Sequence, residues 1–119
     1  MRKNCTKCSR PFKPPEDEWS LFFKKYPSHT AFYKGIGCKA CDFTGYSGRT
    51  LVSELFEINR KMTLAISCKT GETELKQMAI SNGMKTMADD GLMKMSQISL
   101  SELIRVLPLE MIQEFKARH

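Results

Sequence analysis

Cys5-Thr6-Lys7-Cys8 and Cys38-Lys39-Ala40-Cys41 are the two stretches that decide how this chain is organised. Each is a Cys-x-x-Cys pair, and 29 residues separate Cys8 from Cys38. Two intervening residues let both thiolates of a pair turn inward onto one ion, and two such knuckles supply a tetrahedron of sulfurs. That is the ligand set of a closed structural zinc site. Cys5, Cys8, Cys38 and Cys41 are therefore the expected metal ligands, and Zn2+ the expected cofactor. Four sulfurs leave no coordination position for a reacting water, so the ion is expected to be structural. His29 and His119, the two imidazoles, lack ligand spacing. Cys68 reads as a small buried hydrophobe within a helix.

Working outward from the first pair, residues 1–13 read as an extended knuckle. Pro14-Pro15 followed by Glu16-Asp17-Glu18 predicts a helix start, because proline presets φ and carboxylates face the positive end of the helix dipole. This helix should run to about Lys25 with Trp19, Phe22 and Phe23 inward, and Pro27 prevents its continuation. Residues 30–36 read as a short strand that delivers the chain to the second pair. Beyond that pair, residues 49–58 are the strongest strand candidate, with Leu51, Ser53, Leu55 and Glu57 on one face and Val52, Glu54, Phe56 and Ile58 on the other. Both faces are mixed, which asks for a sheet larger than this chain readily supplies.

After Asn59 the pattern turns helical. Asn59 is the expected N-cap of a helix ending near Cys68, with Met62, Ala65 and Ile66 buried; Thr70-Gly71 breaks it. A second helix is expected over 72–82, stopped by Asn82-Gly83. Thr86 and Asp89 would cap a third through about Ser96, weakened by Gly91. Ser99-Leu100-Ser101-Glu102 fits the capping-box pattern ahead of Leu103 and Ile104, and Pro108 sets off a terminal amphipathic stretch, 109–118. Met62, Met78, Met84, Met87, Met93 and Met95 read as core filler, and Lys116 with Arg118 as a solvated helix face. The fold class expected is α+β: a knuckle subdomain with a following strand over 1–58, then a helical subdomain over 59–119.

Composition narrows the class of function. Of 119 residues, 41% are hydrophobic and 27% charged, and no apolar run approaches the roughly 20 residues of a membrane span. The first residues carry no apolar core of a secretory signal, so the cytoplasm is the expected compartment, where paired cysteines more often hold metal than form disulfides. The formal charge is +6; four thiolates and one divalent ion together remove two charges, leaving the chain basic. Lys3, Lys7, Arg10 and Lys39, nearest the knuckles, are expected to offset the anionic cluster, which weakens any inference from basic charge to nucleic acid.

The run Gly37-Cys38-Lys39-Ala40-Cys41-Asp42-Phe43-Thr44-Gly45-Tyr46-Ser47-Gly48-Arg49-Thr50 resembles a segment of the GspE/PilB family, the assembly ATPases of type II secretion and type IV pili. The family pattern there is G-C-x-x-C-x-x-T-G-Y-x-G-R-T, followed by a strand such as Ser53-Glu54-Leu55-Phe56. Gly83-Met84-Lys85-Thr86-Met87-Ala88-Asp89-Asp90-Gly91 and Ile98-Ser99-Leu100-Ser101-Glu102 resemble two further family motifs, in the same order. The resemblance implies the C-terminal end of a hexameric, cytoplasmic ATPase docked on an inner-membrane secretion or pilus platform: a zinc-binding subdomain and the helices after it, a fragment of a RecA-like fold. Its partners would be the ATPase core, neighbouring subunits of the hexamer and the platform proteins.

One departure decides the chemistry. No G-x-x-x-x-G-K-[ST] occurs in the chain, and without that backbone cradle and lysine the phosphates of ATP are not held. The chain is expected to be no enzyme on its own, and to represent an excised piece or a truncated product. In the parent core the 49–58 strand would join a larger sheet; alone it would leave an unpaired edge, which predicts weak self-association. Arg49, after two glycines, reads as pairing with a nearby acid, with reach towards a neighbouring subunit's nucleotide as the functional counterpart. The competing reading of the whole chain is a stand-alone zinc ribbon that binds nucleic acid, resting on the basic charge and on Phe12, Phe32, Tyr33 and Tyr46.

Overall fold

A computed structural model describes residues 1–119. Two short antiparallel pairs carry the knuckle end. β1 (Arg2–Asn4) pairs with β4 (Tyr46–Arg49), and β2 (Ser9–Pro11) pairs with β3 (Tyr33–Gly35) in the register Ser9↔Gly35, Arg10↔Lys34, Pro11↔Tyr33. Between the strands lie α1 (Glu16–Phe22) and a single 3-10 turn, Lys39–Cys41. Five helices or helical turns are then completed by α2 (Arg60–Ser67), α3 (Glu72–Ser81), α4 (Met87–Met93), α5 (Leu100–Val106) and α6 (Leu109–Arg118).

The chain falls into two compact units, Met1–Val52 with Met87–His119, and Ser53–Thr86. In the first, α1, α4, α5 and α6 enclose Phe22, Phe32, Ala88, Ile98, Leu103, Ile112 and Phe115. Phe115 of α6 meets Phe22 and Phe23 edge-on with ring centroids 6.1 Å apart, and Phe23 meets Phe32 at 6.3 Å. Fully burying each such side chain contributes roughly 1.5–3 kcal/mol. Gly91 of α4 is buried, and packing is so close that a Cβ there would collide with the Leu103 side chain. In the second unit, α2 packs with α3 over Met62 and Ala79.

Local signals place several elements where expected. α1 starts after Pro15 with Glu16, Asp17 and Glu18 in its first turn, and it ends at Phe22, three residues short of Lys25. Asn59 caps α2, accepting the Met62 N–H at 2.9 Å. Ser99 caps α5 through the Glu102 N–H, but the Glu102 carboxylate does not close the box: it is turned to Arg2 and Arg105.

The strand expected over 49–58 is not formed. β4 ends at Arg49 because its sole partner, β1, is only three residues long, and residues 50–58 lie outside any strand. Neither mixed face offers a continuous apolar surface to bury, and an isolated strand has no ladder to hold it. Leu51 and Leu55 are 78% and 82% exposed. The edge on which the expected self-association rests is therefore absent. Cys68, expected to be buried, is exposed at the C-cap of α2, and Met93 is exposed rather than core filler. Ile66 is likewise exposed on α2. Lys116 is not simply solvated; its ammonium donates to the Ser20 carbonyl at 2.7 Å and ties α6 to α1, while Arg118 lies 3.6 Å from Asp89.

Candidate metal centre

The fold brings Cys5, Cys8, Cys38 and Cys41 together, with all four sulfurs within 4.8 Å of one another. Cys5 and Cys8 sit in the turn between β1 and β2, while Cys38 immediately precedes the 3-10 turn after β3 and Cys41 ends it. Cys5, Cys8 and Cys41 are buried and Cys38 is half-buried. No pair is disulfide-bonded.

Sulfur spacing tests the donor set. Cys5 and Cys38 sulfurs are 3.8 Å apart, Cys8 and Cys41 3.8 Å, and Cys38 and Cys41 3.7 Å. A tetrahedron with metal–sulfur bonds of about 2.3 Å has edges of about 3.8 Å. The four residues fit a structural divalent ion, and they offer only sulfur.

Backbone amides complete the cluster. Gly37 N–H donates to Cys8 Sγ, Cys38 N–H to Cys41 Sγ and Gly45 N–H to Cys41 Sγ, each at 3.3 Å. These donors, not lysine ammonium groups, are what meet the sulfurs. Without metal, burial pushes the Cys8 thiol up to about 11. Burial acts the same way on Cys41, yet the Cys38 and Gly45 N–H groups with the neighbouring thiols outweigh it and draw that thiol down to about 6. Cys41 is thus better prepared to ionise than Cys8.

The turn after the second pair is built to deliver the Gly45 donor. Asp42 and Phe43 adopt left-handed φ of 53° and 61°. Thr44 Oγ1 donates to the Cys41 carbonyl at 2.7 Å and accepts from the Tyr46 N–H at 3.2 Å, closing the turn. Gly45 (φ 80°) then passes so close to Gly35 that a Cβ on either residue would collide with the other's carbonyl. Composition and spacing pick out the four cysteines that the fold brings together. They do not reveal this glycine-on-glycine crossing, for which the only sequence signal is the presence of glycine at both positions.

A second constellation was not anticipated. Glu102, 1% exposed, accepts from Arg2 Nη2 at 2.8 Å, from the Arg2 backbone N–H at 3.0 Å and from Arg105 Nη2 at 2.6 Å. Arg105, then Arg2, hold its carboxyl far below the usual carboxylate range against the cost of burial. Arg2 also stacks on Tyr46, 4.0 Å from the ring centroid, so β1, β4 and α5 are joined at one point. Arg49, expected to pair with an acid, instead lies exposed on an open cavity of ≈ 530 Å³ lined with Met1, Arg2 and Arg105. His29 and His119 stand apart from the sulfurs; His119 stacks on Phe115 at 4.2 Å.

Comparison with known proteins places residues 1–113 in the match to the family described as type II/IV secretion system protein. The type IV pilus assembly ATPase PilB of Thermus thermophilus is 37% identical over 99 residues, which is 82% of this chain and 11% of that protein. The type II secretion system ATPase E of Vibrio cholerae is 31% identical over 108 residues, 89% of this chain and 21% of that protein. The type II secretion system protein HxcR of Pseudomonas aeruginosa is 36% identical over 76 residues, covering 62% and 16%. The chain spans about a fifth or less of the length of these relatives. No helix is long and apolar enough to cross a membrane.

Proposed function

Because this chain belongs to the type II/IV secretion system protein family, we propose that it is the zinc-stabilised, non-catalytic C-terminal region of a secretion or pilus-assembly ATPase. Residues 1–58 act as the metal-clamped scaffold and residues 59–119 as the helical end. The region serves contacts with a RecA-like ATPase core and with neighbouring subunits of a hexamer, and it docks in the cytoplasm on inner-membrane platform proteins. The parent protein hydrolyses ATP to drive assembly of pilin or pseudopilin subunits.

The single observation that carries this reading is the four-sulfur cluster with edges of 3.7–3.8 Å, lying inside the span matched to the family. Cys5, Cys8, Cys38 and Cys41 hold the ion, and the ion supplies a covalent cross-link between two turns that the small core alone does not fix. The chain's own residues then do the positioning: Gly37, Cys38 and Gly45 N–H groups orient the sulfurs, and the Thr44–Gly45 turn sends β4 back to β1.

Elemental analysis and a nucleotide assay on the reduced, purified chain test the proposal together. One zinc per chain and no ATP hydrolysis are expected. A metal-free chain that keeps its fold would remove the zinc scaffold, and hydrolysis that survives repurification would remove the non-catalytic assignment.

A further inference from the structure

The knuckle end carries exposed apolar surface, and more positive charge than a four-thiolate zinc site with its formal −2 offsets. Residues 1–13 and 33–45 hold seven cationic side chains and one carboxylate, Asp42. The sulfurs are met by backbone N–H groups, and Arg2 is engaged by Glu102. Lys7 and Lys39 lie exposed in the two knuckle turns themselves. Arg10 and Lys34, also exposed, stand directly opposite each other across the β2–β3 pair. Two like charges facing each other across a two-stranded ribbon are destabilising, and the groups set against Lys34 are the Phe12 ring and the Glu18 carboxylate.

Large apolar side chains stand among these cations. Ile36 and Phe43 are 70% and 71% exposed, and Phe12 is 40% exposed with Lys34 5.1 Å from its ring centroid. Ile36 and Phe43 belong to one tip. Ile36 N–H donates to the Cys8 carbonyl, and Phe43 N–H donates to the Cys38 carbonyl at 2.8 Å. Gly37, next to Ile36, lies so near Phe43 that a Cβ there would sit 2.9 Å from the Phe43 carbonyl oxygen. Phe43 holds a left-handed φ of 61°, unusual for an aromatic residue. The chain on either side of the Cys38–Cys41 pair thus presents two bulky apolar groups to solvent, with the exposed Lys39 between them in sequence.

We propose that this tip, Ile36 and Phe43 with Lys7, Lys39, Arg10 and Lys34, is a contact for an anionic lipid bilayer surface. The apolar pair enters the boundary between headgroups and acyl chains, and the cations face lipid phosphates, the arrangement that interfacial anchors use. Charge complementarity selects the occupant: the tip is basic, so a zwitterionic surface gains only the apolar term. The inference goes beyond contacts with platform proteins and needs only the folded knuckle, not the ATPase role of a parent protein.

Sedimentation with vesicles tests it on the zinc-loaded chain at about 100 mM salt. Vesicles of phosphatidylcholine with roughly 30% phosphatidylglycerol should carry the chain down, and pure phosphatidylcholine should not. Lys7→Gln and Lys39→Gln should each weaken partition about fivefold, roughly the effect of one cation near an anionic surface. Ile36→Ser with Phe43→Ser should weaken it about tenfold or more, whereas Leu64→Ser, on an exposed face of α2, should leave it unchanged. Zinc content and circular dichroism of each variant separate lost contact from lost fold. The inference is overturned by no partition onto anionic vesicles, by variants with intact zinc that bind like the parent, or by loss in the lysine variants alone. Salt-sensitive capture of a single-stranded oligonucleotide without vesicle binding would assign the tip to nucleic acid instead and equally overturn it.

Discussion

Unit Met1–Val52 with Met87–His119 and unit Ser53–Thr86 have similar fractions of apolar sequence and enclose it to very different degrees. The first buries Phe22, Phe32, Ile98, Leu103, Ile112 and Phe115 among four helices and holds a sulfur cluster at its other end. The second has two short helices around Met62 and Ala79, and it leaves Leu55, Ile58 and Leu64 more than half exposed. Short helices gain most of their stability from tertiary packing, and a segment of this size cannot enclose much. The first unit therefore has the means to hold itself; the second owes its helices largely to local signals.

Removing the metal is the severest test of that contrast. Chelation of reduced, zinc-loaded protein, or Cys38→Ser, should abolish amide protection in β3 and β4, because metal binding free energy is folding free energy in such a clamp. Protection in α2 and α3 should change little, since neither contributes a ligand. Hydrogen exchange followed by mass spectrometry reads both at once. Equal loss of protection in α2 and α3 would show that the two units stand or fall together.

Paired truncations sharpen the comparison within the apolar residues. Leu103 is fully buried and Leu64 is 61% exposed. Leu103→Ala should cost about 3 kcal/mol of stability, the usual range for a cavity in a core. Leu64→Ala should stay within about 0.5 kcal/mol, as exposed substitutions do. Denaturant titrations give both values, and a large cost at Leu64 would mean that α2 is packed more tightly than its exposure implies.

What could be read from the sequence divides along the same line. Features that depend on neighbours in sequence were legible: the Asn59 and Ser99 caps, the Pro15 and Pro108 boundaries, and the two Cys-x-x-Cys pairs whose sulfurs cluster. Features that depend on distant backbone were not. Residues 50–58 alternate like a strand, but only a partner makes a strand, and β1 is too short to extend the pairing. Cys68 lies at a helix end that no core covers. Glu102 matched the capping box by spacing, yet Arg2, a hundred residues away in sequence, takes its carboxylate. The Gly35–Gly45 crossing is a contact between two turns that no local pattern encodes.

Glu102 supplies a test of intermediate size, confined to the first unit. Glu102→Gln keeps the shape and removes the charge that Arg2 and Arg105 address, and it should cost about 2 kcal/mol, within the range for hydrogen bonds to buried charged groups. Its pH dependence carries a sign. The carboxyl is depressed in the fold, so its contribution is present above the unfolded carboxylate value of about 4.3 and is lost as pH falls towards the folded value. The stability gap between parent and variant should be constant from about pH 7 to 5 and shrink below about 4.5. A gap that widens in acid would contradict the ion triad.

The smallest effect belongs to the second unit, where a cap stands in for a core. Asn59 Oδ1 accepts the Met62 N–H at 2.9 Å at the start of α2. Asn59→Ala removes that acceptor at a typical cost of about 1 kcal/mol, and Asn59→Ser or Asn59→Asp restores most of it. Because little apolar burial holds α2, the loss should appear as local fraying, not as a lower stability of the whole chain. Amide exchange at the first turns of α2 should quicken about fivefold in Asn59→Ala and recover in Asn59→Ser, with α5 and α6 unaffected. Ser99→Ala, which removes the matching cap of α5, should instead lower the unfolding midpoint of the first unit, because Ser99 is itself 2% exposed and its helix carries Leu103 into the core. If both cap substitutions act globally, α2 is held by the same cooperative structure as α5, and the division between the units disappears.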